Sequence, residues 1–178
     1  MRKLRIPAVS VTPRLTVSLS VNSNTIPITA WAMMELIRDP SLFQAIRAEV
    51  LGVTIVDPTT GKSEFDIEEI LALPLLQSVY IECLRMRVSI NVTRELAEPM
   101  VLNGFKLRKD GLLQAPTEIS HYEETVWAKD GHPASEFWAE RHVKIVKEVD
   151  SEGRVSTKRE LSMAGRSNDF FPFGVPYF

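Results

Sequence analysis

Apolar and polar side chains alternate strictly over residues 14–21, with Leu15, Val17, Leu19 and Val21 on one side and Thr16, Ser18 and Ser20 on the other. A period of two predicts a strand, and Asn22-Ser23-Asn24 closes it. From Thr25 the period lengthens. Ile28, Trp31, Ala32 and Leu36 recur at helical spacing, and Met33, Met34 and Ile37 widen the apolar surface. That pattern predicts a helix buried on most sides. Asp39-Pro40 ends it and starts another at once, because aspartate caps a helix and proline suits its first position. Phe43, Ile46 and Val50 mark the predicted inner face of this second helix, and Gly52 its stop.

Residues 53–62 read as a loop, with Asp57-Pro58-Thr59-Thr60-Gly61 as its turn. Asp66 and Glu69 predict a capping box on a short helix over 67–73. Pro74 opens a helix that runs to about Arg87. Beyond Val88 the character is β: Asn103-Gly104 inside Met100–Leu107 predicts a hairpin, and residues 112–115 a further strand. Residues 121–147 show no clear period, and the polar stretch 148–169 reads as a surface loop. The expected class is mainly α with a small β-sheet, an α+β fold.

Composition adds mainly exclusions. The 178 residues suffice for one domain core, and 44% hydrophobic with 25% charged residues is ordinary for a globular chain. With 21 basic and 23 acidic residues, no basic excess points to nucleic acid or an anionic membrane surface. The single cysteine leaves no internal disulfide and fits a reducing compartment. No apolar run approaches the roughly 20 residues of a membrane span. The basic start Met1-Arg2-Lys3-Leu4-Arg5 is followed by Pro7, Pro13 and Arg14 rather than the apolar core of a signal peptide. As written, the chain is expected to be cytoplasmic, without a membrane anchor.

The helix from Pro74 carries the most chemistry. Leu75, Val79, Glu82 and Met86 share one stripe, which sets a carboxylate in an apolar face. Burial of that charge costs several kcal/mol unless it is paired. Arg85, three residues on, is within reach, and burial asks for a third, distant partner. By itself Glu-x-x-Arg reads first as an ordinary exposed ion pair. Cys83 stands beside Glu82, whose charge opposes a thiolate, so it is expected to be a packing residue. His121, His132 and His142 show no zinc-type spacing. No Ser-His-Asp set or phosphate-binding glycine loop stands out.

Four short segments occur in a telling order: Asn24-Thr25-Ile26-Pro27, Glu82-Cys83-Leu84-Arg85, Phe137-Trp138-Ala139-Glu140-Arg141-His142, and Phe171-Pro172-Phe173-Gly174. The series resembles the C-terminal half of a cytochrome P450, in particular fungal members and the branch of sterol 7α-hydroxylases and prostacyclin synthase. The resemblance covers residues 21–174. It implies a partial cytochrome P450 fold: a long buried helix, the Glu-x-x-Arg helix, a small hairpin sheet and a meander. Residues 1–20 match nothing and read as a foreign N-terminal segment; residues 175–178 diverge.

On this resemblance Glu82, Arg85 and Arg141 form a structural triad, although Ala139 and His142 stand where proline and phenylalanine are usual. Thr25, with Asn24, would be the proton relay; alternatively Thr25 only back-bonds within a helix beside Pro27. Arg94 would meet a haem propionate, or is a solvated arginine beside Glu95 and Glu98. Phe171, Phe173 and Gly174 would start the haem-thiolate loop. The implied cofactor is haem b and the implied partner NADPH-cytochrome P450 reductase. The implied activity is monooxygenation of a hydrophobic small molecule such as a sterol or a secondary metabolite, at the endoplasmic reticulum membrane in full-length relatives. The cysteine that would ligate iron does not follow Gly174 within the 178 residues. The expectation is therefore a truncated, inactive monooxygenase that does not bind haem by itself. The alternatives are a non-enzymatic interaction module and an active monooxygenase with an incomplete gene model.

Overall fold

A computed structural model describes residues 25–149, 153–166 and 168–174. The strand expected over 14–21, Asn24 and residues 175–178 lie outside the described residues. Three proline-led or aspartate-capped starts build the helical part. Helix α1 spans Ile26–Arg38 and α2 Pro40–Gly52. Asp39 ends the first and caps the second by accepting from the N–H groups of Ser41 and Leu42. The short α3, Ile67–Leu71, is capped by Asp66, which accepts from Glu68 and Glu69 N–H. Helix α4 spans Pro74–Arg87. Its N-cap, Leu73, has no side chain able to accept. Glu49 of α2 substitutes, taking the N–H of Leu75 at 3.1 Å and of Leu76 at 3.2 Å.

Helix α4 is the axis of the molecule. Leu75, Val79, Cys83 and Leu84 join Ile28 of α1, Leu42 and Ile46 of α2, and Ala139 and Val143 in one core. Two expectations need correction here. The inner face of α2 is Leu42 and Ile46, not Phe43, which is exposed; the apolar positions four residues apart fix the face, and Phe43 lies off that line. Helix α1 is not buried on most sides: Ile28 and Glu35 are buried, whereas Ile26, Met33 and Ile37 are exposed. The described residues pack against only one of its faces.

Among the described residues the strands form four two-stranded antiparallel ribbons, so the fold is a mixed α+β one. Strands β1 (Thr54–Val56) and β2 (Ser63–Phe65) flank the Asp57–Gly61 turn, where a plain loop was expected. Strand β3 (Asn91–Glu95) pairs with β6 (Leu112–Pro116) around the hairpin β4 (Met100–Leu102) and β5 (Phe105–Leu107). Asn103 and Gly104 both take positive φ, 48° and 84°, as a two-residue turn of the type I′ kind requires. Short helices α5 (Thr117–His121) and α6 (Glu124–Trp127) then lead into the meander. Of the polar loop expected over 148–169, the part up to Leu161 belongs instead to the hairpin of β7 (Val143–Val149) and β8 (Val155–Leu161), while the described residues from 162 on are irregular as expected. Both faces of that ribbon are largely solvated, so its sequence has no need of an apolar side. No described helix is long and apolar enough to cross a membrane.

Candidate functional site

Glu82, Arg85 and Arg141 meet in the interior, each fully buried. Arg85 reaches Glu82 along α4: its Nε donates to Oε2 and its Nη2 to Oε1, both at 2.8 Å. This is the side-by-side pairing that a planar guanidinium allows and an ammonium does not. Arg141 arrives from the meander and donates Nε to Glu82 Oε1 at 2.8 Å. The backbone N–H of Trp138 adds a bond to Oε1 at 3.2 Å, and His142 Nε2 one to Oε2 at 3.1 Å. Burial by itself would raise the Glu82 carboxyl. The donors from Arg85, His142 and Arg141 more than offset it and hold the group down at about 2.

The two arginines also gather the backbone around them. Arg141 Nη1 donates to the carbonyls of Trp127 and His132, and its Nη2 to those of Pro133 and Glu136. With the bond to Glu82, all five N–H groups of the guanidinium have an acceptor. Arg85 Nη1 donates to the carbonyl of His121 at 2.6 Å, and its Nη2 also approaches that of Glu136 at 3.4 Å. Aromatic faces complete the shell: Trp127 lies under Arg85 and Arg166, each 5.4 Å from the ring centre. The meander has little regular structure of its own, and these donations to its carbonyls fix its path.

His142 was not assigned a role from sequence beyond standing where phenylalanine is usual. The structure makes it a donor to Glu82. Burial keeps its imidazole below the ordinary value, hence neutral, despite the carboxylate that favours charge. With Nε2–H directed at Glu82, Nδ1 is buried without a partner. A polar residue in a slot that suits a buried aromatic was the available signal.

Beside this cluster lies an open cleft of about 650 Å³. Its walls include Thr25, Ile28, Trp31 and Leu36 on α1, Leu76, Val79 and Leu84 on α4, then Val88–Ile90 and Phe173. Thr25 is exposed at the rim, and Thr29 donates its hydroxyl to the Thr25 carbonyl at 2.8 Å; the back-bond expected of Thr25 itself would reach residue 21, outside the described residues. Pro27 lies on α1 two residues after Thr25, whose own backbone is helical. Phe173 and Gly174 belong to a turn closed by Gly174 N–H donating to the Phe171 carbonyl at 3.0 Å. Gly174 has φ 92°, and a Cβ there would meet Val92 of β3. Arg94 is not brought to the cleft: it is exposed on β3 and donates to the Thr93 carbonyl. The Glu82 cluster and the cleft share α4 but present opposite faces of it.

The walls are largely apolar, with the polar side chains of Thr25, Thr29, Arg87 and Ser89 among them. No cysteine or histidine is among the described residues that line the cleft. Cys83 is buried in the core, and burial with the nearby Glu35 carboxylate pushes its thiol up to about 12, so it offers no thiolate. Among the described residues no cluster of His, Cys, Asp and Glu is arranged to hold a metal ion.

The family model for cytochrome P450 matches residues 23–175. The cytochrome P450 monooxygenase calL of Penicillium decumbens is 52% identical over 153 residues, covering 86% of this chain and 27% of that protein. The monooxygenase efuG of Hormonema carpetanum is 30% identical over 90% of this chain and 32% of its own length. In fsoE of Humicola fuscoatra the identity is 27%, over 85% of this chain and 28% of that protein. The chain thus spans roughly a quarter to a third of the curated relatives it matches.

Proposed function

The chain belongs to the cytochrome P450 family, and on that premise we propose that it is a segment of a haem-thiolate monooxygenase acting on a hydrophobic small molecule. The observation that carries this reading is the apolar cleft of about 650 Å³ set against the helix whose other face holds the Glu82 cluster. In it Glu82, Arg85 and Arg141 are structural: they bind the meander to α4 and so support the wall of the cleft. Thr25, at the rim, would hold a proton near a ligand in the cleft, with Asn24 beside it in sequence. Phe171, Phe173 and Gly174 carry the chain to the cleft edge, and Phe173 would face the macrocycle. Arg94 would need to swing from β3 to reach a propionate.

Haem, when bound, would supply oxygen activation, driven by electron density pushed from a thiolate onto iron. The residues above would bind and orient it. Cys83 is not that thiolate, so the 178 residues taken alone are proposed to be catalytically silent. Electrons would come from an NADPH-fed reductase at the endoplasmic reticulum, and the substrate would be a sterol or a fungal secondary metabolite. The test is haem reconstitution of the 178-residue chain, then anaerobic reduction under carbon monoxide. No thiolate-type Soret band is expected from this chain; its appearance would reject the silent reading. A second reading, an interaction module, is favoured by the exposed Ile26, Met33 and Ile37 of α1. A saturable stoichiometric complex with another protein chain in the absence of haem would support it.

A further inference from the structure

His121 is fully buried, and the Glu82 cluster uses only its carbonyl. Its ring does something else. Nε2 lies 3.3 Å from the backbone N of Phe171, whose N–H can only donate. The rings of Phe170 and Phe171 flank the imidazole at 5.7 and 5.6 Å. The neighbouring Ser120 donates its hydroxyl to the Asp169 carbonyl at 3.1 Å, and its own carbonyl accepts from Trp127 Nε1 at 2.7 Å. Helix α5 therefore grips the chain at 169–171, immediately before the turn that sets Phe173 on the cleft. Because Nε2 accepts, the ring's single proton must sit on Nδ1, which is buried with no well-aligned partner.

We propose that His121 is a positioning residue for the Phe170–Gly174 segment: its bare Nε2 receives the Phe171 N–H and seats the turn that presents Phe173 to the apolar cleft. A second proton would convert the acceptor into a donor facing another donor. Burial is the main opponent of that proton, and the cationic Arg85 of α4 adds to it, while the backbone at Arg85 and Val88 favours it. Asp169 is held through its carbonyl, Glu118 of the same helix bonds Ser89, and Arg166 stacks on Trp127. The family reading above says what the segment serves, while the contact itself stands without it.

The test is nuclear magnetic resonance on the ¹⁵N-labelled chain. His121 is expected as the Nδ1–H tautomer with Nε2 unprotonated; an Nε2–H tautomer would overturn the proposal. His121→Phe keeps a ring and removes the acceptor, so Phe171 amide protection should fall about five-fold, the worth of one hydrogen bond, while α4 amides keep theirs. His121→Gln restores an acceptor and should hold Phe171 within about two-fold of the native value. Unchanged Phe171 protection in His121→Phe would also overturn it. If that variant does not fold, the native tautomer decides, together with acid titration. Phe171 protection should vanish in step with protonation of the ring, and its survival beyond that point counts against the proposal. Failure to take up haem would leave all these outcomes as they are, so the two readings fail separately.

Discussion

Arg141→Lys isolates the geometric contribution of the buried cluster, because the charge stays and the fork is lost. Arg141 donates to Glu82 and to the carbonyls of Trp127, His132, Pro133 and Glu136. A lysine ammonium has three donors radiating from one point, so at least two of the five bonds go unmade. The carbonyl of Glu136 keeps a long bond from Arg85, and that of His132 keeps the N–H of Lys129. Pro133 keeps the N–H of Glu136, and Glu82 keeps Arg85, Trp138 and His142, so the carbonyl of Trp127 is the acceptor that suffers most. Charge-assisted bonds are worth about 1.5–2 kcal/mol each here, so the expected loss is about 3–4 kcal/mol. Against a total of about 5–15 kcal/mol for a domain, that removes a large share of the stability. Urea unfolding followed by circular dichroism and by tryptophan fluorescence measures it, with Trp127 and Trp138 both reporting next to the substituted side chain. Arg87→Lys is the control. Arg87 is half-buried, bonds Glu35 at 2.8 Å and covers Trp31, and should cost about 1 kcal/mol or less. A loss below about 1 kcal/mol for Arg141→Lys would refute the view that the fork, rather than the charge alone, holds the meander.

Acid should act in two steps. The imidazoles of His121 and His142 lie below 6.5 in the fold because burial disfavours their charge. Stability should therefore begin to fall as the pH drops below about 6.5 and the unfolded chain takes up protons that the folded one refuses. Glu82 adds a contribution of about 3 kcal/mol that is complete above about pH 4.5 and is lost as the pH falls towards 2. Urea midpoints between pH 8 and pH 3 trace both steps, and Glu82→Gln should abolish the lower one. His142→Phe loses one donor to Glu82 but also removes the unpartnered Nδ1; a net change within about 1 kcal/mol is expected, with a shallower slope near pH 6. Cys83 should resist alkylation by iodoacetamide in the native chain and react on unfolding in urea, which mass spectrometry resolves directly.

The helical frame was legible because its signals are local. Pro40 and Pro74 at first helical positions, Asp39 and Asp66 as caps, and the Asn103-Gly104 turn each act within a few residues, so their chemistry is complete in the sequence. The hairpins β1–β2 and β7–β8 were missed for the converse reason. Their strands are largely solvated on both faces, and a ribbon that buries no side leaves no period of two. The cap on α4 was also invisible. Leu73 cannot accept a hydrogen bond, and the carboxylate that does so, Glu49, lies 26 residues before Leu75.

The sequence by itself determined that a carboxylate at position 82 would sit on an apolar stripe with an arginine one turn away, because helical spacing leaves no other arrangement. The resemblance to the cytochrome P450 series, rather than spacing, made Arg141 the candidate third partner. Only the tertiary structure decided how many donors the carboxylate receives and from where. Trp138, Arg141 and His142 come from 56 to 60 residues further along the chain. It likewise decided that His121, unremarkable by spacing, accepts from Phe171. Helical periodicity is a property of neighbours, whereas satisfying a buried charge depends on whichever chain segments packing brings within about 3 Å of it.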